Sequence, residues 1–337
     1  VYNLFIRQNY GVYEYNTLDD FINDAAPREF YRSYSLVDNV TGDGSEAAAI
    51  FKAWQAGIYI QDDWQVTDQF KLSLGLRGDL FVYPDNTPEN TDFNQNTVPL
   101  IESFGYSLRG AQTGKFVDPQ FYVSPRLGFN WDVTGEQTTQ VRGGAGIFVS
   151  RAPLVWPGGA YNNNGLTVGG DFTTSPTTGW YRDYNGRFNP QWDNQPQRVA
   201  PGQGQPSGQV DLFASDFRLP TFAKFNVAVD QKLPLGLIAT AEFIYTKTLN
   251  NVFYENLNLK PSVENLEGAD NRPYYDRRDE VDPTYTRILL GSGTDLGYSW
   301  NGTISLTKPF ENGVMAGLLS LIHISDPTRL NITSRMP

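Results

Sequence analysis

The strongest constraint on this chain is an alternation of apolar and polar residues that recurs in paired runs joined by tight turns. Within Phe70–Tyr83, Phe70, Leu72, Leu74, Leu76, Leu80 and Val82 share one parity, while Lys71, Ser73, Arg77 and Asp79 share the other. A period of two belongs to extended strands, whose successive side chains point to opposite faces. The preceding run, Gly57–Val66, meets this one through the turn 67–69. Further pairs are Tyr122–Val133 with Thr139–Val149, Ala223–Leu233 with Leu237–Lys247, and Gly297–Lys308 with a run opening at Val314. Their turns carry the Gly, Asn, Asp and Pro residues that supply a positive φ or a preset bend. Between the pairs lie polar, aromatic-rich excursions over roughly 84–120, 150–221 and 250–296. Loops that long usually carry function. Short turns at one end, long loops at the other and two-faced strands between them describe a transmembrane β-barrel. The expected fold is all-β: an antiparallel barrel segment of about nine strands, incomplete and open, with short periplasmic turns and long extracellular loops. Phe5–Tyr15 is expected as its first up-strand, followed by a short helix capped by Thr17 or Asp19.

Composition is compatible with that reading. The hydrophobic fraction of 39% and mean hydropathy of −0.42 are those of a water-soluble chain, and no apolar run of about 18 residues could form a membrane helix. A barrel exposes only alternate residues to lipid, so its average hydropathy is ordinary. The aromatic content of 14% suits rings gathered at two membrane interfaces. A net charge of −11 argues against nucleic acid as a partner. The 337 residues contain no Cys, which fits an oxidising compartment.

The ending behaves differently. From Leu318 the alternation set up by Val314 and Ala316 breaks, the chain's one His appears at position 323, and Leu319–Arg329 resembles the translated read-through of a sequencing adapter. The expected organisation is therefore a partial barrel over 1–318 and a non-native tail over 319–337, with the chain a piece of a longer protein.

Few residues invite catalytic chemistry. Without Cys, and without His before that tail, Ser-His-Asp and Cys-His catalysis and His-based zinc sites are excluded. Asp62 and Asp63 are adjacent on a strand and point opposite ways, so they cannot cooperate as a glycosidase pair. The cluster Asp276–Asp282 lies in a Pro-flanked charged loop and reads as solvated surface. Gly143, Gly144 and Gly146 sit inside a strand with no helix following, so they fail as a nucleotide motif; there they relieve crowding or admit another element close to the wall. No enzymatic role, cofactor or metal is expected.

Binding is the better prospect. The loop over 156–198 holds Trp156, Tyr161, Trp180, Tyr181, Tyr184, Phe188 and Trp192 amid Asn, Gly and Asp. Rings provide flat apolar faces, and Asp183, Asn185 and Asp193 could orient hydroxyl or amide groups, so Trp180, Tyr181 and Trp192 with those three are the candidate ligand-binding set. The alternative is that the rings pack the loops on one another. Lys71, Arg77, Arg126 and Arg142 fall on the polar parity and are expected to face a filled lumen, where inward charges commonly serve as wall-to-plug or wall-to-wall ion pairs. Acidic loop segments such as Asp85–Asp92 lack the spacing of a known calcium loop.

Tyr59–Asp79 resembles the barrel signature of TonB-dependent outer-membrane receptors, and Ser124–Val133 with Val141–Phe148 is similar to the Oar-like branch, related to SusC-type importers. The resemblance implies a 22-stranded barrel plugged by an N-terminal domain, energised through TonB, in the outer membrane of a Gram-negative bacterium. It implies as partners outer-membrane lipid, the TonB complex, an extracellular ligand (oligosaccharide, peptide or chelate) and, left open, a surface lipoprotein. The competing reading is a secreted or soluble all-β carbohydrate-active or carbohydrate-binding protein; a propeller would demand a steadier four-strand period than this chain shows.

Overall fold

The structure, a computed structural model, describes residues 2–3, 6, 10–37, 45–151, 153–173, 188, 190–191, 208–268, 271–276, 279–310 and 313–326. Four short strands come first: β1 (Tyr2–Asn3), β2 (Val12–Glu14), β3 (Glu29–Ser35) and β4 (Ala49–Ile50). Long strands follow as hairpins: β5 (Trp54–Thr67) with β6 (Phe70–Val82), then β7 (Gln120–Asp132) with β8 (Thr139–Val149). The next excursion contributes β9 (Val168–Thr173) and β10 (Gln209–Phe213). The wall resumes with β11 (Thr221–Leu233) and β12 (Leu237–Asn256). After β13 (Glu264–Asn265) and β14 (Pro273–Tyr274) come β15 (Arg287–Thr294), β16 (Tyr298–Pro309) and β17 (Met315–Asp326).

The main sheet is an antiparallel meander in the order β5-β6-β7-β8-β11-β12, continued by β16 and β17. β12 is 20 residues long and serves two neighbours. Its first half, Ile238–Lys247, pairs with β16, and its far half, Asn251–Asn256, pairs with β15. β15 and β16 thus form one descending strand interrupted at Asp295–Gly297, where Gly297 takes φ 111°. β10 lies parallel to β15 at the loop end. Among the described residues the sheet does not close. At the three-residue turn after β11, Pro234–Gly236, Leu235 and Gly236 adopt φ 65° and 71°, left-handed conformations that a tight hairpin turn requires.

Two expected elements differ. The strand expected over Phe5–Tyr15 is described at 6 and 10–15, and there its Val12–Glu14 portion pairs not with the wall but with Glu29–Tyr31, in a separate three-stranded sheet with β9. The excursion expected over 250–296 is shorter, because β12 runs on to Asn256 and its far half pairs with β15, carrying the sheet further toward the loop end. The short helix forms as expected, α1 (Leu18–Ile22), with Thr17 accepting from the Asp20 amide and Asp20 accepting from the Thr17 amide.

Register sorts the wall into two faces. One cross-strand row reads Lys71, Asn130, Arg142, Ala228, Glu242, Thr303. The adjacent row, on the opposite face, reads Leu72, Phe129, Gly143, Val227, Phe243, Gly302. Leu74, Leu76 and Leu127 on that second face are each more than two-fifths exposed, an arrangement that water penalises and lipid rewards. The 13 residues of β6, at about 3.3 Å each and tilted about 40°, rise about 33 Å, enough to cross an apolar band about 25 Å tall. Trp64, Phe70, Phe129 and Trp131 gather on the apolar face near the short turns, with Phe70 stacked 6.3 Å from Phe129; rings there match an interfacial belt. Among the described residues no helix is long and apolar enough to cross a membrane.

The described parts of the long connections are packed. They build a layer over the loop end of the wall with its own core: Phe93, Ile101, Val210, Leu257, Tyr285, Ile288 and Leu290 are all essentially inaccessible. A second cluster ties this layer to the wall through Phe81, Tyr122, Phe213 and Phe217.

Candidate functional site

Two regions position the candidate residues: the polar face of the wall and the loop layer above it. On the polar face three of the four expected cations are ion-paired. Lys71 lies 3.4 Å from Asp63, whose other oxygen accepts from Ser73 Oγ at 2.6 Å. Arg77 donates from Nε and Nη2 to the two oxygens of Asp79, both at 2.7 Å. Arg142 donates to Asp230 at 2.9 Å and sits 3.8 Å from Glu242, bridging three strands. The Lys71–Asp63 pair and the Arg142 bridge tie neighbouring strands together, while the bidentate Arg77–Asp79 pair neutralises charge within β6. Gly57 makes room for one pair: a Cβ there would stand 2.8 Å from both Arg77 Nη2 and Asp79 Oδ1. Arg126 has a different partner, the Phe148 ring, 4.8 Å away. All four share one face with each other, opposite Leu72, Leu74 and Leu76.

Alternation explains this placement, since each cation occupies the odd parity of β6 or the matching parity of β7 and β8. The same rule reaches two residues that sequence reasoning passed over. Lys224 and Asn226 occupy the polar parity of β11 and join Arg126 and Phe148 on that face. The signal was present in the alternation of Lys224, Asn226, Asp230 and Lys232.

The expected ligand-binding residues Trp180, Tyr181, Asp183, Asn185, Trp192 and Asp193 lie outside the described residues. Three other rings of that stretch are described. Tyr161 is buried and stacks on Phe51 at 4.6 Å with 7° between planes, its hydroxyl donating to the Asp85 carbonyl. Trp156 packs on the cluster that joins loops to wall. Phe188 meets Tyr13 and Phe21 edge-on, at 5.2 and 5.6 Å. Each of these three serves packing.

Polar side chains hold the loop layer in one arrangement. Asn90, buried, donates to the Asn164 carbonyl at 3.0 Å and to the Tyr285 hydroxyl at 3.2 Å. Asn258 donates to the carbonyls of Asp282 and Tyr285 and accepts from the Asp282 amide at 2.9 Å. Burial pushes the Tyr285 and Tyr161 hydroxyls up to about 12. The charged stretch 276–282 divides: Asp279 pairs with Lys260 at 2.5 Å, Asp282 accepts from Thr97 Oγ1 at 2.6 Å, and Glu280 is half-buried. Burial, with Asp282 adding repulsion, raises the Glu280 carboxyl to about 7. Among the described residues no cluster of three metal-ligating side chains exists.

A search of the solved structures finds transporters. The transporter YddB from Escherichia coli aligns over 83% of this chain and 26% of its own, at 13% identity and TM-score 0.38. The FrpB iron transporter from Neisseria meningitidis (F3-3 variant) aligns over 88% of this chain and 32% of its own, at 9% identity and TM-score 0.39. The chain therefore spans about a quarter of the first and about a third of the second. No curated protein matches. The family described as outer membrane beta barrel domain matches residues 8–317. Nearly the whole chain is covered, and the two-faced wall, belt of rings and hairpin ends are those such a domain requires. The chain belongs to the outer membrane beta-barrel domain family, and its place is the outer membrane.

Proposed function

We propose that this chain is part of the wall of an outer-membrane receptor that binds a large ligand and moves it across the outer membrane. The observation that carries the reading is the paired polar face. A wall whose inner face carries Lys71–Asp63, Arg77–Asp79 and Arg142–Asp230 is built to enclose polar content, while its outer face is apolar. An open edge would leave backbone donors and acceptors unpaired in lipid, so the working unit has more strands than the sheet described. Within the family, the motifs at 59–79, 124–133 and 141–148 favour a TonB-dependent receptor of the Oar-like branch, energised through the TonB complex. Binding and passage, rather than catalysis, fit a chain lacking both Cys and a His before position 323. Residues 319–337 we set apart as a non-native tail. In support, Leu319 and Leu321 fall opposite Ser305 and Thr303, on the polar face, where the alternation of β17 is lost.

Capture is assigned to the loop over 156–198, where Trp180, Tyr181 and Trp192 stack on an oligosaccharide or peptide and Asp183, Asn185 and Asp193 orient its polar groups. The test is surface binding and uptake by the full-length receptor carrying Trp180→Ala and Trp192→Ala, with assembly checked by the heat-dependent gel shift. At about 1 kcal/mol or more for each lost ring contact, binding is expected to fall several-fold in a correctly assembled receptor. Unchanged binding would leave these rings as loop packing, as Tyr161 and Phe188 already are.

A further inference from the structure

The ion-pair pattern of the polar face has one gap. Lys71, Arg77 and Arg142 each have a carboxylate, but among the described residues Arg126 and Lys224 have none. Both lie instead over the same ring, Phe148, at 4.8 and 5.8 Å. Register places them in one row on either side of a glycine: Arg126 opposite Gly146, and Gly146 opposite Lys224. Two strand spacings put their backbones about 10 Å apart, so the absent side chain at position 146 leaves a gap between two cationic arms. A Cβ there would stand 3.2 Å from Arg126 Cγ and 3.3 Å from Phe148 Cε2. The glycine is therefore what lets the arm and the ring pack together.

The neighbouring row widens the gap. It reads Ser73, Gly128, Gly144, Asn226, and these residues with Arg126, Phe148 and Lys224 line a trough of about 520 Å³. That is within the range of small-molecule sites and far more than one carboxylate needs. The Asn226 side chain lies at this trough, its Oδ1 3.5 Å from where a Gly144 Cβ would stand, and the amide makes no hydrogen bond among the described residues. Two like charges held on one ring repel each other, and burial in an enclosed lumen would make leaving them unpaired expensive. An anion between them removes both costs, and the amide and guanidinium N–H groups supply directional donors.

We infer that Arg126, Lys224 and Asn226 form an anion-binding site on the lumen wall, taking a carboxylate or phosphate group of the ligand passing through the barrel. The inference rests on the transport reading above for the identity of the polar face as lumen. It adds a position and a charge to the ligand, and its residues belong to other stretches of the sequence than the proposed capture loop.

The test is calorimetric titration of the purified intact receptor with inorganic pyrophosphate at low ionic strength, where electrostatic contacts are least screened. Saturable binding is expected. Arg126→Gln and Lys224→Gln should each weaken it at least ten-fold, with Arg126→Lys retaining most of it. Lys308→Gln, whose ammonium lies over Phe310 at the turn end, should leave it unchanged. Equal binding by wild type and the two Gln variants would overturn the site. So would the absence of saturable binding in the wild type. If, in addition, the Gln variants lost the heat-resistant folded form, the arms would be holding a resident acidic side chain of the polypeptide. Uptake is scored separately in the wild type, so a receptor that binds pyrophosphate but transports nothing would defeat the transport reading and leave the anion site standing.

Discussion

At the scale of single residues, parity along a strand decides most of what a side chain meets. Leu74 and Ser73 are neighbours in sequence, yet Leu74 is 44% exposed on the apolar face while Ser73 donates to Asp63 on the polar one. Leu74→Arg should therefore destabilise the barrel by about 2–4 kcal/mol if the position lies near the bilayer midplane. Spin labels give an independent check: a label at 74 is expected to be relaxed by lipid-soluble oxygen and a label at 73 by a water-soluble reagent. The reverse result would move the register by one. Gly144 makes a second case. A Cβ there would come within 2.7 Å of the Leu127 carbonyl, a backbone atom with little freedom to yield. Gly144→Ala should weaken the β7–β8 pairing by about 1–3 kcal/mol, as overpacking does. A denaturant midpoint for the refolded barrel equal to that of wild type would show that the wall relaxes around it. These glycines were visible in the sequence as exceptions within a strand; which atoms they make room for was not, because that depends on the strand opposite.

At the scale of elements, the loop layer behaves as a packed unit beside the wall. Leu290 and Ile101 are fully inaccessible within it. Leu290→Ala should cost about 2–5 kcal/mol. Limited proteolysis should then cut within 84–119 and 257–286 while the wall strands stay intact; cleavage unchanged from wild type would mean the layer is not cooperative. The same unit carries a pH dependence. Glu280 binds its proton more tightly folded, near 7, than at the ordinary value of 4.5, so the folded layer holds more protons than the unfolded one between those values. Its contribution to stability must fall as pH rises from about 4.5 to about 7 and level off above. Hydrogen exchange over 257–286 should accordingly slow on going from pH 7.5 to pH 5 once corrected for intrinsic rates, and Glu280→Gln should abolish the difference. A difference of the same size in the Gln variant would assign the effect to another group. The hairpins of the wall were legible because each is local: an alternating run, a turn, an alternating run. β15 was missed because its partner, the far half of β12, is some forty residues away, and nothing within Arg287–Thr294 states that pairing.

At the scale of the whole molecule, a closed barrel with an apolar exterior should resist detergent until boiled. The intact receptor is expected in the outer-membrane fraction, with a heat-dependent shift on gels; a soluble periplasmic protein without that shift would contradict the two-faced wall. The sequence by itself determined that wall. A period of two sustained over strands of 11 to 20 residues forces one apolar and one polar face, and four tight turns force neighbouring strands to pair in order. Both are local consequences of backbone geometry, so no knowledge of distant contacts was needed. Tertiary structure alone decided the rest: that Val12–Glu14 pairs away from the wall, that Phe51 and Tyr161 stack, and that Arg126 and Lys224 face each other across Gly146. Each of these depends on residues from separate segments meeting in space. Alternation says which face a side chain takes, but only register says whom it meets there.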